Sequence, residues 1–348
     1  MTRIPTPRPL PRLVAFAAAL AVLLAASGCD SAGGGVERQQ AERFPVKQDG
    51  LWSFIDAEGR LIGQPRFDFA DEMHQSRAAV RVGTLWGYAD PTGELAVSPR
   101  FLVAGRFSDG LAPVQTQDGG WAYSDIAGEI VGAATWDSAE PHSETRAAVR
   151  SGFLWGYVDE RGQTVVEPQF AAAGPFVGGL APVQTADGWR YVRPSGETAF
   201  PTTFAEARAF SDVGLAPVRE QGSEVWKFVG TDGQIALNTS YQDAQPFTEG
   251  YARVVSDGRT GFIGRDGAFL VPPKMAEAGP FSEGRAAVRF NRRWGYVRRD
   301  DGRTVASPVY DQARPFRGGL AQVTTGSGDE TRVGYVDAEG EVVWQPSR

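Results

Sequence analysis

The chain has 348 residues with 42 acidic against 35 basic side chains, a net charge of −7, and it contains 43 glycines, 23 prolines and one cysteine. That sign argues against nucleic acid as a partner, because affinity for a phosphate backbone comes from lysine and arginine neutralisation. A single cysteine excludes an internal disulfide framework.

Arg3, Arg8 and Arg12 precede an uncharged apolar run from Leu13 to Ala26, followed by Ser27-Gly28-Cys29. This is the pattern of a secretory signal peptide over residues 1–28, and the run is shorter than the roughly 20 residues a membrane-spanning helix needs. Ala26-Ser27-Gly28-Cys29 resembles a bacterial lipobox. The resemblance implies that Cys29 carries lipid and begins the mature chain, anchoring it to a bacterial cell membrane or envelope on the exported side. Stable anchoring takes more than one acyl chain, which a diacylglycerol on Cys29 would supply. Residues 29–42, with Gly33-Gly34-Gly35 among them, read as a flexible tether.

From residue 43 to residue 348 the sequence repeats itself, and this overrides the two domains that length alone predicts. An aromatic-small-aromatic-aliphatic stretch closing on Gly begins at Trp52, Trp86, Trp121, Trp155, Trp189, Trp226, Thr260, Trp294 and Val333, at spacings of 34 to 39 residues. A second pattern keeps the same phase: Phe170, Ala173, Phe176, Gly179, Ala181 and Val183 recur as Phe101, Ala104, Phe107, Gly110, Ala112 and Val114. These stretches, typified by Leu154-Trp155-Gly156-Tyr157-Val158-Asp159, resemble the WG repeat family of bacteria. That resemblance implies an all-β repeat protein of the envelope with no assigned activity. Ser53, Ala122, Arg190 and Lys227 replace the Gly in four copies.

Three strands are predicted per unit, typified by Leu180–Gln184, Trp155–Asp159 and Thr164–Val166, each bounded by Gly, Asp or Pro. Asp118-Gly119, Asp187-Gly188 and Asp257-Gly258 signal hairpins between the first and second. The expected fold is a tandem array of about nine three-stranded antiparallel meanders, stacked as in a propeller, with an open superhelix as the alternative. Prolines select discrete sheets: Pro113, Pro182 and Pro217 fall in first strands, and Pro65, Pro99, Pro168 and Pro308 follow third strands, as befits edges that need no donor. Alternation puts Trp155 and Tyr157 on one face. Trp52, Trp86, Trp121, Trp155, Trp189, Trp226 and Trp294 are therefore expected in the stacking core, where truncating one costs about 3–5 kcal/mol. Arg190 and Lys227 stand on the other face, where a long cation needs solvent, and mark an open candidate binding face.

Asp56, Asp90, Asp125, Asp159 and Asp337 form a ladder that reads either as a row of cation ligands or as turn-forming residues. Arg193, Gly230 and Gly264 occupy the same slot and would interrupt a metal row. The two histidines, His74 and His142, fall at or beside positions filled by Phe or Met in other copies, which fits packing. No Gly-x-Ser-x-Gly stretch is present, so a nucleophile elbow is not indicated. Arg77, Arg146 and Arg285, each ahead of Ala-Ala-Val, read as edge charges that block strand addition or as a groove for an anionic polymer. The expectation is a non-enzymatic envelope lipoprotein without cofactor or metal, binding a protein or cell-envelope glycan. The alternatives are a glycan hydrolase with carboxylates meeting between repeats and a passive spacer.

Overall fold

A computed structural model describes residues 42–347. The predicted signal peptide, Cys29 and all of the predicted tether except Glu42 lie outside the described residues.

Nine small antiparallel sheets follow one another and are arranged as a nine-blade β-propeller. Blade four is typical, with strands Ser138–Ala139, Arg146–Ser151, Leu154–Asp159 and Thr164–Phe170 in that order across the sheet. Blade one begins at Phe44, and blades two to nine begin at Phe69, Val103, Ser138, Ala172, Glu206, Asp243, Glu277 and Gln312. Seven sheets have four strands and two have three. The unit is thus one strand richer than the predicted meander, because a short strand formed by the Phe-x-x-Ala phase precedes the other three. Blade one lacks that strand. Blade five lacks the last, where only the bridges Val192↔Thr198 and Trp189↔Phe204 form.

The prolines sit where ladders end. In blade three the short strand pairs only as Val103↔Gln115 and Ala104↔Val114, so the adjacent Pro113 has no donor to supply. Pro65, Pro99, Pro168 and Pro308 lie within the last strands of their blades, which are edges.

Both faces of a blade are buried, because each packs on a neighbour. Tyr157 packs with Phe176, Ala181 and Val183 of blade five, while Val158, on the other face of the same strand, packs with Leu111 and Tyr123 of blade three. One aromatic contact recurs at successive junctions: Tyr88–Phe107 at 4.8 Å between centroids, Tyr157–Phe176 at 4.8 Å, Tyr191–Phe210 at 4.7 Å and Tyr296–Phe316 at 4.8 Å. Each of those tyrosines also donates its hydroxyl into the next blade, Tyr88 to Gly105 O, Tyr157 to Gly174 O, Tyr191 to Arg208 O and Tyr296 to Arg314 O, at 2.7–2.9 Å. The ring closes by the same device. Tyr335 of blade nine packs edge-on against Phe44 at 5.5 Å and donates to Pro45 O at 2.8 Å.

Tryptophan is not the centre of this core. Trp226 is buried, whereas Trp52, Trp86, Trp121, Trp155, Trp189 and Trp294 are half-buried at its margin. Arg81, Arg150 and Arg289 lie over the rings of Trp86, Trp155 and Trp294 about 6 Å from their centroids.

The Gly after Trp has a steric role. A β-carbon on Gly156 would stand 2.7 Å from Pro168 N and 2.9 Å from Glu167 C, because the fourth strand bulges across it. In blades one and three, Ser53 and Ala122 hold this place. There the last strand carries its own glycine at the crossing, Gly63 with φ 69° and Gly132 with φ 80°, a conformation open to glycine without steric penalty. The glycine has moved to the facing strand.

Candidate functional site

The turn carboxylates are committed to their own backbone. Asp125 Oδ1 accepts from Ala127 N at 2.9 Å and Glu129 N at 2.8 Å, and Asp159, Asp337, Asp90 and Asp56 repeat the pair of bonds. Burial works against ionisation of Asp56 and Asp90, yet the hydrogen bonds they accept outweigh it and hold both carboxyls below the ordinary range. Among the described residues no cluster of three or more His, Cys, Asp or Glu could hold a metal ion.

Further acids fasten blade to blade. Glu144 accepts from Gly178 N and Gly179 N at 2.7 and 2.8 Å, and Glu283 accepts from Gly318 N and Gly319 N at 2.6 and 2.8 Å. Ser108, Ser143 and Ser282 donate to the carbonyls of His142, Phe176 and Phe316 in the following blade. Glu283 and a further acid, Glu249, line a common cavity of about 330 Å³ with Asp300. The carboxylates of Glu249 and Glu283 are occupied by backbone N–H groups, Glu249 by Gly284 N at 2.8 Å.

Two of the arginines that open second strands, Arg77 and Arg285, are struts rather than edge charges or a groove. Arg77 Nε donates to Ile126 O at 3.2 Å and Arg285 Nε to Ala338 O at 2.7 Å, each reaching the residue after the turn aspartate of the next blade. Arg43 does the same in blade one, with Pro91 O at 2.7 Å. Arg146 departs from this. Its Nε is buried without a hydrogen-bond partner, and the equivalent turn of blade five has Arg193-Pro194 in place of an Asp-led turn.

Arg146 lines a pocket of about 480 Å³ formed by blades three, four and five, together with Arg106, Ser108, Glu140, His142 and Tyr157. His142 stands where Phe107, Phe176, Phe210, Phe247, Phe281 and Phe316 stand in other blades, and it packs edge-on against Tyr123 at 4.5 Å as those rings do. It is 2% exposed. Its Nε2 lies 3.3 Å from Asp159 O and its Nδ1 is buried with no partner. Burial lowers its pKa, against the raising effect of the Asp159 carbonyl and nearby acids.

The face marked by Arg190 and Lys227 is not open. Val192 and Val229, on that same face, are buried. The two cations stand at its margin, with side chains 24% and 22% exposed, Arg190 3.4 Å from Asp187 and Lys227 2.8 Å from Glu220. Sequence reasoning missed the pocket, although His142 in a slot otherwise filled by phenylalanine was a visible signal.

Among solved structures, a eukaryotic initiation factor aligns over 89% of this chain and 97% of its own at 10% identity, with a TM-score of 0.62, a likeness of fold alone. AztD from Citrobacter koseri aligns over 88% of this chain and 96% of its own at 11% identity and a TM-score of 0.48. BamB from Moraxella catarrhalis aligns over 71% and 91% at 12% identity and 0.45. No curated protein matches the chain. A family profile described as WG containing repeat matches residues 52–83, 86–121, 155–189, 189–222, 228–259, 261–294 and 294–327, passing over the unit between 121 and 155 that holds His142 and Arg146.

Proposed function

Because this chain belongs to the WG-containing repeat family, we propose that it is a non-enzymatic binding or scaffolding protein, held at a bacterial membrane on the exported side by lipid at Cys29. Its ring presents a surface to a protein or a cell-envelope glycan. One observation carries this reading. The polar residues that recur around the ring are spent on turns and blade junctions, so what a partner meets is the set of positions at which blades differ. The sequence supports the anchor separately, since the lone cysteine closes an export signal ahead of a Gly-rich tether.

Two measurements test the proposal. In detergent phase partition, the wild-type chain is expected in the detergent phase and Cys29→Ala in the aqueous phase; equal partition of the two rejects the lipid anchor. Residues 36–348 are expected to co-sediment with purified cell-wall glycan or to crosslink to a discrete envelope protein in the native cell. Failure of both removes the binding role.

A further inference from the structure

We propose that the pocket between blades three, four and five is a binding site for a small hydroxylated carboxylate, with Arg146 and Arg106 meeting the carboxylate and His142 Nδ1 accepting a ligand hydroxyl.

The direction of the hydrogen bonds sets the ligand chemistry. A carbonyl oxygen only accepts, so the contact of His142 Nε2 with Asp159 O at 3.3 Å places the ring proton on Nε2. Nδ1 is then a lone pair, buried and unpartnered, and what it lacks is a donor. Burial disfavours the charged ring, so it remains an acceptor at neutral pH. A buried acceptor without a partner costs roughly 1–3 kcal/mol. Six other blades avoid that cost by using phenylalanine at this position.

Arg146 supplies the opposite requirement. Its counterparts Arg43, Arg77 and Arg285 spend Nε on a carbonyl of the next blade, whereas Arg146 Nε is buried and unspent. Arg106 adds a second guanidinium to the pocket wall. Two guanidinium groups favour an anion, and the planar fork of arginine suits a carboxylate. Glu140, which also lines the pocket, offers a second acceptor for hydroxyls and repels ligands of higher negative charge. The volume of about 480 Å³ falls within the range of small-molecule sites, roughly 300–1,000 Å³. The departures coincide with the one internal unit that the family profile passes over.

This inference is independent of the macromolecular partner proposed above, since the site is intramolecular and its ligand small. The test is calorimetric titration of the purified repeat domain with D-glucuronate, alongside D-glucose, which lacks the charge, and acetate, which lacks the hydroxyls. Saturable binding of D-glucuronate is expected, at least tenfold tighter than either control. His142→Phe installs the residue used at six other junctions and should keep or raise the melting temperature while weakening D-glucuronate at least tenfold. Arg146→Met should weaken it similarly. Absence of saturable D-glucuronate binding, or binding unchanged in both variants, overturns the proposal.

Discussion

Tyr157 has none of its surface exposed, yet its hydroxyl reaches Gly174 O in the next blade at 2.9 Å, whereas Trp155, two residues earlier on the same face, is half-buried beside the guanidinium of Arg150. The ranking expected from residue size is therefore reversed. Tyr157→Ala should cost about 3–5 kcal/mol, the range for removing a buried aromatic ring, and Trp155→Ala roughly half of that, both read from the urea midpoint. Tyr157→Phe, which leaves the Gly174 carbonyl without its donor, should cost about 1 kcal/mol. In the sequence Trp stands out as the anchor because it is the larger residue and opens the repeated stretch. What places Tyr at the centre is the ring 19 or 20 residues further on, with a carbonyl beside it 17 or 18 residues on, and no local pattern displays that pairing. The glycine following Trp was equally opaque. Its need is set by the backbone of the strand bulging across it, so Gly156→Ala should destabilise by about 1–3 kcal/mol, as overpacking does.

Among the elements, the first strands were hidden in plain view, five of them only two residues long. Phe-x-x-Ala was legible as a pattern in phase with the rest, but a ladder of two pairs is too short to show the alternation that identifies a strand. The third strand and its Asp-to-Gly turn were legible, because turn chemistry is local to the residues that perform it. The struts were not, since Arg285 reaches a backbone carbonyl 53 residues away, and any sequence supplies carbonyls. Arg285→Met should cost about 1 kcal/mol in the denaturant midpoint. Arg146→Met, whose Nε bonds no carbonyl, should be nearly neutral when no ligand is present. A loss as large as that of Arg285→Met would show that Arg146 serves the same structural purpose. The candidate pocket was half legible. His142 stood out as the exception among phenylalanines, but its free nitrogen depends on how the ring is turned.

For the whole molecule, closure is the property the repeat could not reveal, because identical units build a ring or a superhelix according to small rotations at each junction. Tyr335, Phe44 and Pro45 settle it as a ring. Blade one contributes no first strand, and blades nine and two meet at that level. Arg314 pairs with Glu72 at 3.1 Å, and Arg317 Nη1 lies 2.7 Å from the ring nitrogens of His74. Burial, then the charges of Arg317 and Arg106, lower the His74 pKa to about 4. A histidine in the unfolded chain titrates near 6.5. As pH falls below 6.5 the unfolded chain takes up a proton that the folded one refuses, so stability should fall between pH 6.5 and about 4 and be insensitive to this group above 6.5. His142, also lowered by burial, adds to the same slope. Melting temperatures across that range should decline less steeply in His74→Gln, and an identical slope would remove His74 from the account.

The seam has a mechanical meaning. Many rings could be locked by a sheet that takes strands from both ends of the chain, but among the described residues every sheet takes its strands from one consecutive stretch. Among the described residues, blades nine and one are joined through packed side chains and the Tyr335 hydroxyl on Pro45 O. A chain held at its amino end would deliver load first to Phe44–Gln48, an outermost strand of its sheet, peeling hydrogen bonds one pair at a time instead of shearing them together. Single-molecule extension from the two termini should accordingly show a low-force opening at this joint before the remaining blades yield. Pulled from its two termini, the ring would thus behave as a clasped bracelet that opens at its clasp before any link deforms.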